Sequence, residues 1–288
     1  MSSIELSLTK MRARQEVNLQ KSLLQQLQLP IWTDAQRGVP NSLLRSALFA
    51  AIQRGKRPYL KRQVMASVEN ASITYTGIRL CQDYLTVWEC LVHVAREQQL
   101  GNRCEVTTYQ LLRLLDKKDT GGNRRVLRRQ LAELQATALE VRQGRYTYSG
   151  SLIDEAYHDE ETGRAIIVLN QRIVALYQSD GYTRVSWQIR CDLNTSLAKW
   201  LHGFYATHRQ PYPYSVAKIH ELCGSAAKSL KDFQEKTLAP ALEELASVCK
   251  SHGEHFSYMI ERRPGGKSIV YVTRDVGTKL PLTPEICG

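Results

Sequence analysis

An α+β fold of two like halves, each a run of three helices closed by a β-ribbon, is what this sequence predicts, and three observations predict it. Apolar residues recur at helical spacing in two separate sets of three segments. Each set is followed by extended stretches that meet at turn residues, 159–163 in the first half and Pro264, Gly265 and Gly266 in the second. Positive charge gathers at the start of the third helix of each set. Three helices followed by a ribbon is the order of a winged helix-turn-helix, so the expected architecture is tandem winged-helix domains preceded by an N-terminal helical arm.

The arm comprises residues 1–60. It holds a polar start, a Gln- and Leu-rich helical segment over 16–29, and then Pro30, Gly38, Pro40, Gly55 and Pro58. Leu43, Leu44, Leu48 and Phe49 recur on one helical face, so this stretch is expected to dock by them as an appendage. The N-terminal domain, 61–170, opens with extended stretches at 73–75 and 78–80. A helix carrying Leu85, Trp88, Leu91, Val92 and Ala95 follows. A second helix starts at Thr107 or Thr108, either able to cap it, and runs through Leu111, Leu112 and Leu115. After a turn at 119–122, a long helix is expected over 123–139, with Val126, Leu127, Leu131, Leu134 and Ala138 as its apolar positions. Extended stretches at 146–148, 151–157 and 165–169 complete this half.

The C-terminal domain, 171–276, repeats the order with little residue identity. A helix over 194–207 carries Leu197, Trp200, Leu201 and Phe204, and a short helix over 215–222 ends at Gly224, a C-cap residue. A longer helix is expected to begin near Ser225, with Leu230, Phe233, Leu238, Leu242, Leu245 and Val248 in its period. Pro240 lies inside that period; it lacks an N–H and clashes with the preceding turn, so it should kink the helix or divide it after Ala239. Stretches at 255–260 and 268–273 form the closing hairpin, and 277–288 is a tail.

The 288 residues suffice for two such units, and 43 % hydrophobic content excludes a disordered or fibrous chain. No apolar run reaches the ~20 residues of a bilayer span, and the start lacks a signal-peptide core, so a cytoplasmic protein without membrane contact is expected. Seven cysteines, at 81, 90, 104, 191, 223, 249 and 287, are widely spaced and form no CxxC pair. They read as reduced thiols, with no disulfide framework, structural zinc or cofactor. Lys and Arg number 39 against 28 Asp and Glu, and a net charge of +11 favours a polyanionic partner, foremost nucleic acid.

The placement of that charge supplies the candidate DNA-binding residues. Arg124, Arg125, Arg128 and Arg129 form a cationic strip on the third helix of the first half, either a solvated face or a set of phosphate contacts. In the second half Ser225, Lys228, Ser229 and Lys231 stand at the expected start of the corresponding helix, where a groove-entering helix presents its first turns to bases. Asp232 can accept from cytosine N4 or pair with Lys228. Arg262, Arg263 and Lys267 flank the hairpin tip, from which a wing reaches backbone or minor groove.

Several segments resemble the plasmid replication initiator (Rep) family, in particular the initiators of broad-host-range plasmids. They are Pro40-Asn41 with Arg45-Ser46-Ala47-Leu48-Phe49, Ile73-Thr74-Tyr75-Thr76-Gly77, Leu134-Gln135-Ala136-Thr137-Ala138, Ile173-Val174-Ala175-Leu176-Tyr177, His208-Arg209-Gln210-Pro211-Tyr212-Pro213 and Leu222-Cys223-Gly224-Ser225. The resemblance runs from about residue 24 to 250. It implies tandem winged helices that bind directly repeated origin sequences, called iterons, as double-stranded DNA and help melt adjacent AT-rich DNA. The C-terminal domain would read the iteron, and the N-terminal domain would contact backbone and support dimerisation. A bent recognition helix with Leu238-Ala239-Pro240-Ala241-Leu242 inside it adds Lys236 to the DNA-facing set. The family also implies a monomer on iterons and a homodimer in storage or autorepression. Implied partners are single-stranded origin DNA, the host initiator protein, the replicative helicase and the sliding clamp. Set against relatives that carry a long leader, the chain is expected to lack most of it, and Gln26-Leu27-Gln28-Leu29-Pro30 only faintly resembles a clamp-binding peptide, with Pro30 in place of its aromatic end.

Enzymatic chemistry finds little support. Gly265-Gly266-Lys267-Ser268 lacks the first Gly of a P-loop and sits in a hairpin context. Asp154, Glu155, Asp159, Glu160 and Glu161 read as a solvated loop rather than a metal cluster, and Tyr146, Tyr148, Tyr212 and Tyr214 lack the nearby His cluster of a nicking enzyme. Cys249, His252 and His255 have zinc-like spacing without a fourth ligand. Trp88, Trp187, Trp200 and Phe204 are assigned to packing. The alternatives to an initiator are a tandem winged-helix transcriptional regulator of plasmid genes and a protein-binding adaptor.

Overall fold

A computed structural model describes residues 29–274 except 53–54, 56, 69–70, 98–102, 144–145, 160, 171–172, 174–175 and 178–180. The Gln- and Leu-rich helix expected over 16–29, apart from its last residue, and the tail at 277–288 lie outside the described residues.

Strand β1 (Gln36–Pro40) and a single helical turn α1 (Asn41–Leu44) open the described chain. The first half then runs β2 (Tyr59–Met65), β3 (Ala71–Ile78), α2 (Gln82–Ala95), β4 (Arg103–Thr107), α3 (Thr108–Leu114), α4 (Gly121–Gln135), β5 (Ala138–Gln143), β6 (Tyr146–Gly150), β7 (Ile153–His158) and β8 (Arg164–Leu169). The second half runs β9 (Tyr182–Ser186), α5 (Trp187–Asp192), α6 (Ser196–Ala206), β10 (Tyr214–Ser215) and α7 (Val216–Leu222). Next comes α8, one continuous helix made of an α turn (Leu230–Asp232), a π turn (Phe233–Leu238) and an α segment (Ala239–Ser251), followed by β11 (Phe256–Arg262) and β12 (Ser268–Arg274).

The halves share a topology. In each, a short strand before the second helix joins a later hairpin, and the three strands lie in the order first, third, second: β4-β8-β7 and β10-β12-β11. Both units are thus winged-helix-like. The first carries an additional four-stranded sheet, β2-β3-β5-β6, whose last two strands intervene between the third helix and the hairpin.

Local chemistry explains the boundaries. Thr107 caps α3 in a reciprocal box with Gln110, and Thr120 caps α4 through the Asn123 N–H. The expected helix over 123–139 ends earlier, at Gln135. Thr137 donates from its hydroxyl to the Leu134 carbonyl at 2.8 Å and accepts from the Leu152 N–H at 3.1 Å, and Ala138 begins a strand paired on both sides. On α4, Leu127 and Leu134 are buried, but Val126 is 44 % exposed and not part of the apolar stripe.

The helix expected to begin near Ser225 begins at Leu230. Gly224 closes α7 with φ +63°, the Ser225 hydroxyl accepts from the Ala227 N–H, and Ser229 caps α8 by accepting from the Asp232 N–H. These side chains bond the backbone of a turn instead of extending the helix. Pro240 does not divide α8. The Ala239 N–H bonds the Gln234 carbonyl five residues back, so the wide π turn precedes the proline and the helix continues through it.

Leu43, Leu44, Leu48 and Phe49 are buried, as their spacing predicts, but the segment carrying them is no appendage. Strand β1 pairs antiparallel with β9, Pro40 opposite Tyr182. Beyond it the chain is a seam between the halves: Ala50 N–H bonds Leu80 of the first, while Ala51 N–H bonds Cys223 of the second at 2.7 Å. Trp200 donates to the Ser46 carbonyl, and Arg45 to Thr207. Behind the seam, Arg190 of α5 and Glu89 of α2 form an ion pair at 2.6 Å, both almost wholly excluded from solvent. Arg190 also donates to Gln82 and Thr86. Trp88, Trp200 and Phe204 pack in the core, the last two stacked at 4.6 Å, whereas Trp187 is only partly buried beneath the Arg37 guanidinium.

Candidate nucleic-acid interface

In the second half, Phe233 and Leu238 are fully buried and fix which side of α8 faces the core. Lys231, Asp232, Glu235, Lys236 and Thr237 are exposed on the side that remains. Asp232 pairs with Lys236 at 2.5 Å, one turn along, and not with Lys228. The Lys236 ammonium holds the Asp232 carboxyl below the usual carboxylate range. Lys228 is exposed but stands in the turn ahead of the helix, a turn held by His220 against the Ala227 carbonyl at 2.8 Å. Ser225 and Ser229, counted as groove-facing hydroxyls in the sequence, are half-buried and accept backbone N–H bonds.

The hairpin after α8 turns where expected, with Gly265 at φ +83° and Gly266 at φ +75°, and the Arg263 N–H closes it on the Lys267 carbonyl at 2.8 Å. Arg262, Arg263 and Lys267 are all exposed at its end. Arg263 is tethered to the Tyr271 hydroxyl, which itself donates to Glu261, so its charge is partly balanced on the hairpin.

In the first half the four arginines of α4 are exposed as expected, but three have protein partners. Arg124 makes a bidentate contact with Asp119 at 2.6 Å, Arg128 meets His158 at 2.8 Å, and Arg129 lies 4.0 Å from Glu133. Beside Arg128, an open groove of about 220 Å³ runs between α4 and the β7–β8 hairpin, lined by Leu127, Leu131, Ala156 and Tyr157. Glu235 and this groove escaped the sequence reading. A count of two residues from the apolar Phe233 would have marked Glu235 as outward-facing, whereas the groove depends on how a hairpin packs on a distant helix.

No metal-binding chemistry is assembled by the residues considered from the sequence. His252 bonds Asp192 at 2.7 Å and Cys249 is buried, while Asp159 accepts from Thr162 within its own turn. Asp34, His93 and Glu97 do gather, yet the Arg96 guanidinium lies between the two carboxylates at 2.9 and 2.6 Å, and Trp32 donates to His93 Nδ1. A guanidinium already neutralises these acids, so the residues do not fit a cation. Tyr148 is buried, out of reach as a nucleophile. The six described cysteines are free thiols, and among the described residues no helix is long and apolar enough to cross a membrane.

Two winged-helix-like units, the first exposing an arginine-rich third helix and the second one of mixed charge, make up a fold also seen in solved structures. Domains 2 and 3 of RctB match with a TM-score of 0.55 at 12 % identity, covering 81 % of this chain and 97 % of that structure. The Pi initiator protein in complex with iteron DNA matches with a TM-score of 0.50 at 10 % identity, covering 84 % and 98 %. At such identities the likeness concerns the fold. In sequence, the chain is 29 % identical over 238 residues to the plasmid replication initiator protein TrfA of Escherichia coli, which spans 78 % of this chain and 62 % of that relative's length. Residues 3–252 match the family described as TrfA protein, and the chain belongs to that family.

Proposed function

We propose that the chain is a plasmid replication initiator that binds directly repeated origin sequences as duplex DNA, opens the adjacent strand pair and recruits host replication proteins. The observation that carries this reading is α8: a helix held against the core by Phe233 and Leu238, presenting Lys231 at its exposed start and followed by a hairpin tipped with Arg262 and Lys267. Family membership and the likeness to a TrfA initiator support the same reading. In it, 171–276 reads the repeat, while 61–170 contacts backbone through Arg125 and Arg128 and supports dimerisation. Sequence choice comes from base contacts and much of the affinity from phosphate neutralisation. The role is non-covalent and assigns no catalytic residue. Host initiator, helicase and clamp are proposed partners without an assigned surface.

The test is titration of the purified chain against a direct-repeat origin fragment and a scrambled duplex of equal length, at several salt concentrations. Tighter binding to the repeats, with log affinity falling as log salt rises, is expected. Strand opening and helicase recruitment on the same fragment then separate an initiator from a transcriptional regulator. Equal weak affinity for both duplexes, with the cognate repeats in hand, would sink the proposal and favour the adaptor reading.

A further inference from the structure

We propose that Glu235 is a base-reading residue that selects cytosine in the bound duplex. The inference rests on α8 being the groove-facing helix. Successive residues are turned by about 100° in an α turn and by somewhat less in the wider π turn that begins at Phe233, so two residues still span roughly half a turn. Lys231 and Glu235, two residues to either side of the buried Phe233, therefore both stand roughly opposite it, on the crest of the exposed face. Their neighbours Asp232 and Lys236 are closed on one another at 2.5 Å and cancel as charges. Among the described residues, Glu235 makes no hydrogen bond or ion pair to another side chain, although the neighbouring Lys236 feels its charge more weakly than that of Asp232. The crest thus offers a duplex one cation and one carboxylate, one turn apart.

A carboxylate carried into a phosphate-lined groove is repelled unless a base edge donates to it. The major groove holds two such donors, the exocyclic amines of cytosine and adenine. Adenine places the N7 acceptor beside its amine, where it opposes a second carboxylate oxygen; cytosine presents its N4 amine without that neighbour. Glu235 is therefore matched to cytosine. Lys231, with its Cβ about 5–6 Å away, reaches guanine O6 and N7 within about two base steps of 3.4 Å. On a duplex lacking the cytosine, the same carboxylate finds no donor and weakens binding, which makes Glu235 a discriminator against random DNA.

The experiment passes a pool of duplexes with a randomised centre through rounds of capture on the full chain. The enriched duplex is sequenced and used as the probe. A fixed cytosine is expected in the enriched sequence. Glu235→Ala should bind that duplex roughly 5- to 150-fold more weakly, the range for losing one good base contact, and bind the unselected pool no more weakly. Glu235→Gln, whose amide both accepts and donates, should shift the preferred base from cytosine to adenine. Enrichment of the same sequence by Glu235→Ala, or equal loss on both DNAs, overturns the inference. Lys231→Ala is the companion measurement. If it weakens the enriched duplex while Glu235→Ala does not, only the inference falls; if neither variant changes binding, α8 is not the reading helix and that part of the proposed function falls too. Both side chains are exposed, and a thermal melt of each variant checks that it folds.

Discussion

Whether a surface cation reads bases or only neutralises phosphate depends on where it is carried and what already holds it. Lys231 sits on the crest of α8, while Arg128 stands on α4 against His158. Lys231→Ala is expected to weaken binding to a repeat-bearing duplex by about 1–3 kcal/mol and to spare random DNA, measured by titration at fixed salt. Arg128→Ala should weaken both DNAs and lower the slope of log affinity against log salt by about one. An unchanged slope would remove Arg128 from the interface. Which residues are exposed cations was legible in the sequence, because charge keeps side chains in water. Which partners they take was not. Asp232 was open to Lys228 by spacing alone, but the helix starts at Leu230, which takes Lys228 out of its register and leaves Lys236 one turn along.

Elements were read well where periodicity and capping agreed and poorly where two kinds of structure compete for the same residues. The start of α3 was legible to within one residue, Thr107 or Thr108, and the hairpin glycines 265 and 266 mark their turn, since a capping box and a left-handed turn are local events. The end of α4 is different: the helical period continues through Ala138, and only pairing with β3 and β6 draws that stretch into a sheet. Gly224 tests how strictly the turn before α8 is built. Its φ is +63°, and a Cβ there would lie 2.9 Å from Arg79 Nη2 and 3.1 Å from the Cβ atoms of Ala47 and Ala50. Gly224→Ala is therefore expected to cost about 1–3 kcal/mol of stability, read as a lower urea midpoint. An unshifted midpoint would show that the seam relaxes around the extra methyl.

At the scale of the whole molecule, the two halves are joined by buried polar contacts that no single-segment pattern announces. Burial pushes the Glu89 carboxyl up, against the lowering effect of Arg190 and Arg37. Glu89→Ala would strand the Arg190 guanidinium without its partner, at a cost of about 3–5 kcal/mol in chemical unfolding. Two histidines add a pH dependence. Burial, with Arg37 and Arg96 nearby, lowers His93 to about 4, and burial with Arg190 and Arg274 lowers His202 to about 3. Unfolded, each titrates near 6.5, so the unfolded chain binds protons that the folded chain refuses. Their contribution is intact above about pH 6.5 and is lost as pH falls toward 4. Urea midpoints should decline across that window, and a flat profile would refute the assignment. The pairing of β1 with β9 has a further consequence, one of timing. The first half separates those strands in the chain, so during synthesis β1 obtains its partner only after that half has left the ribosome. Such a long loop closes slowly, and a chain stopped before Tyr182 would leave β1 as an unpaired edge with Leu43, Leu48 and Phe49 close behind it, a natural target for chaperones or for a strand from another copy.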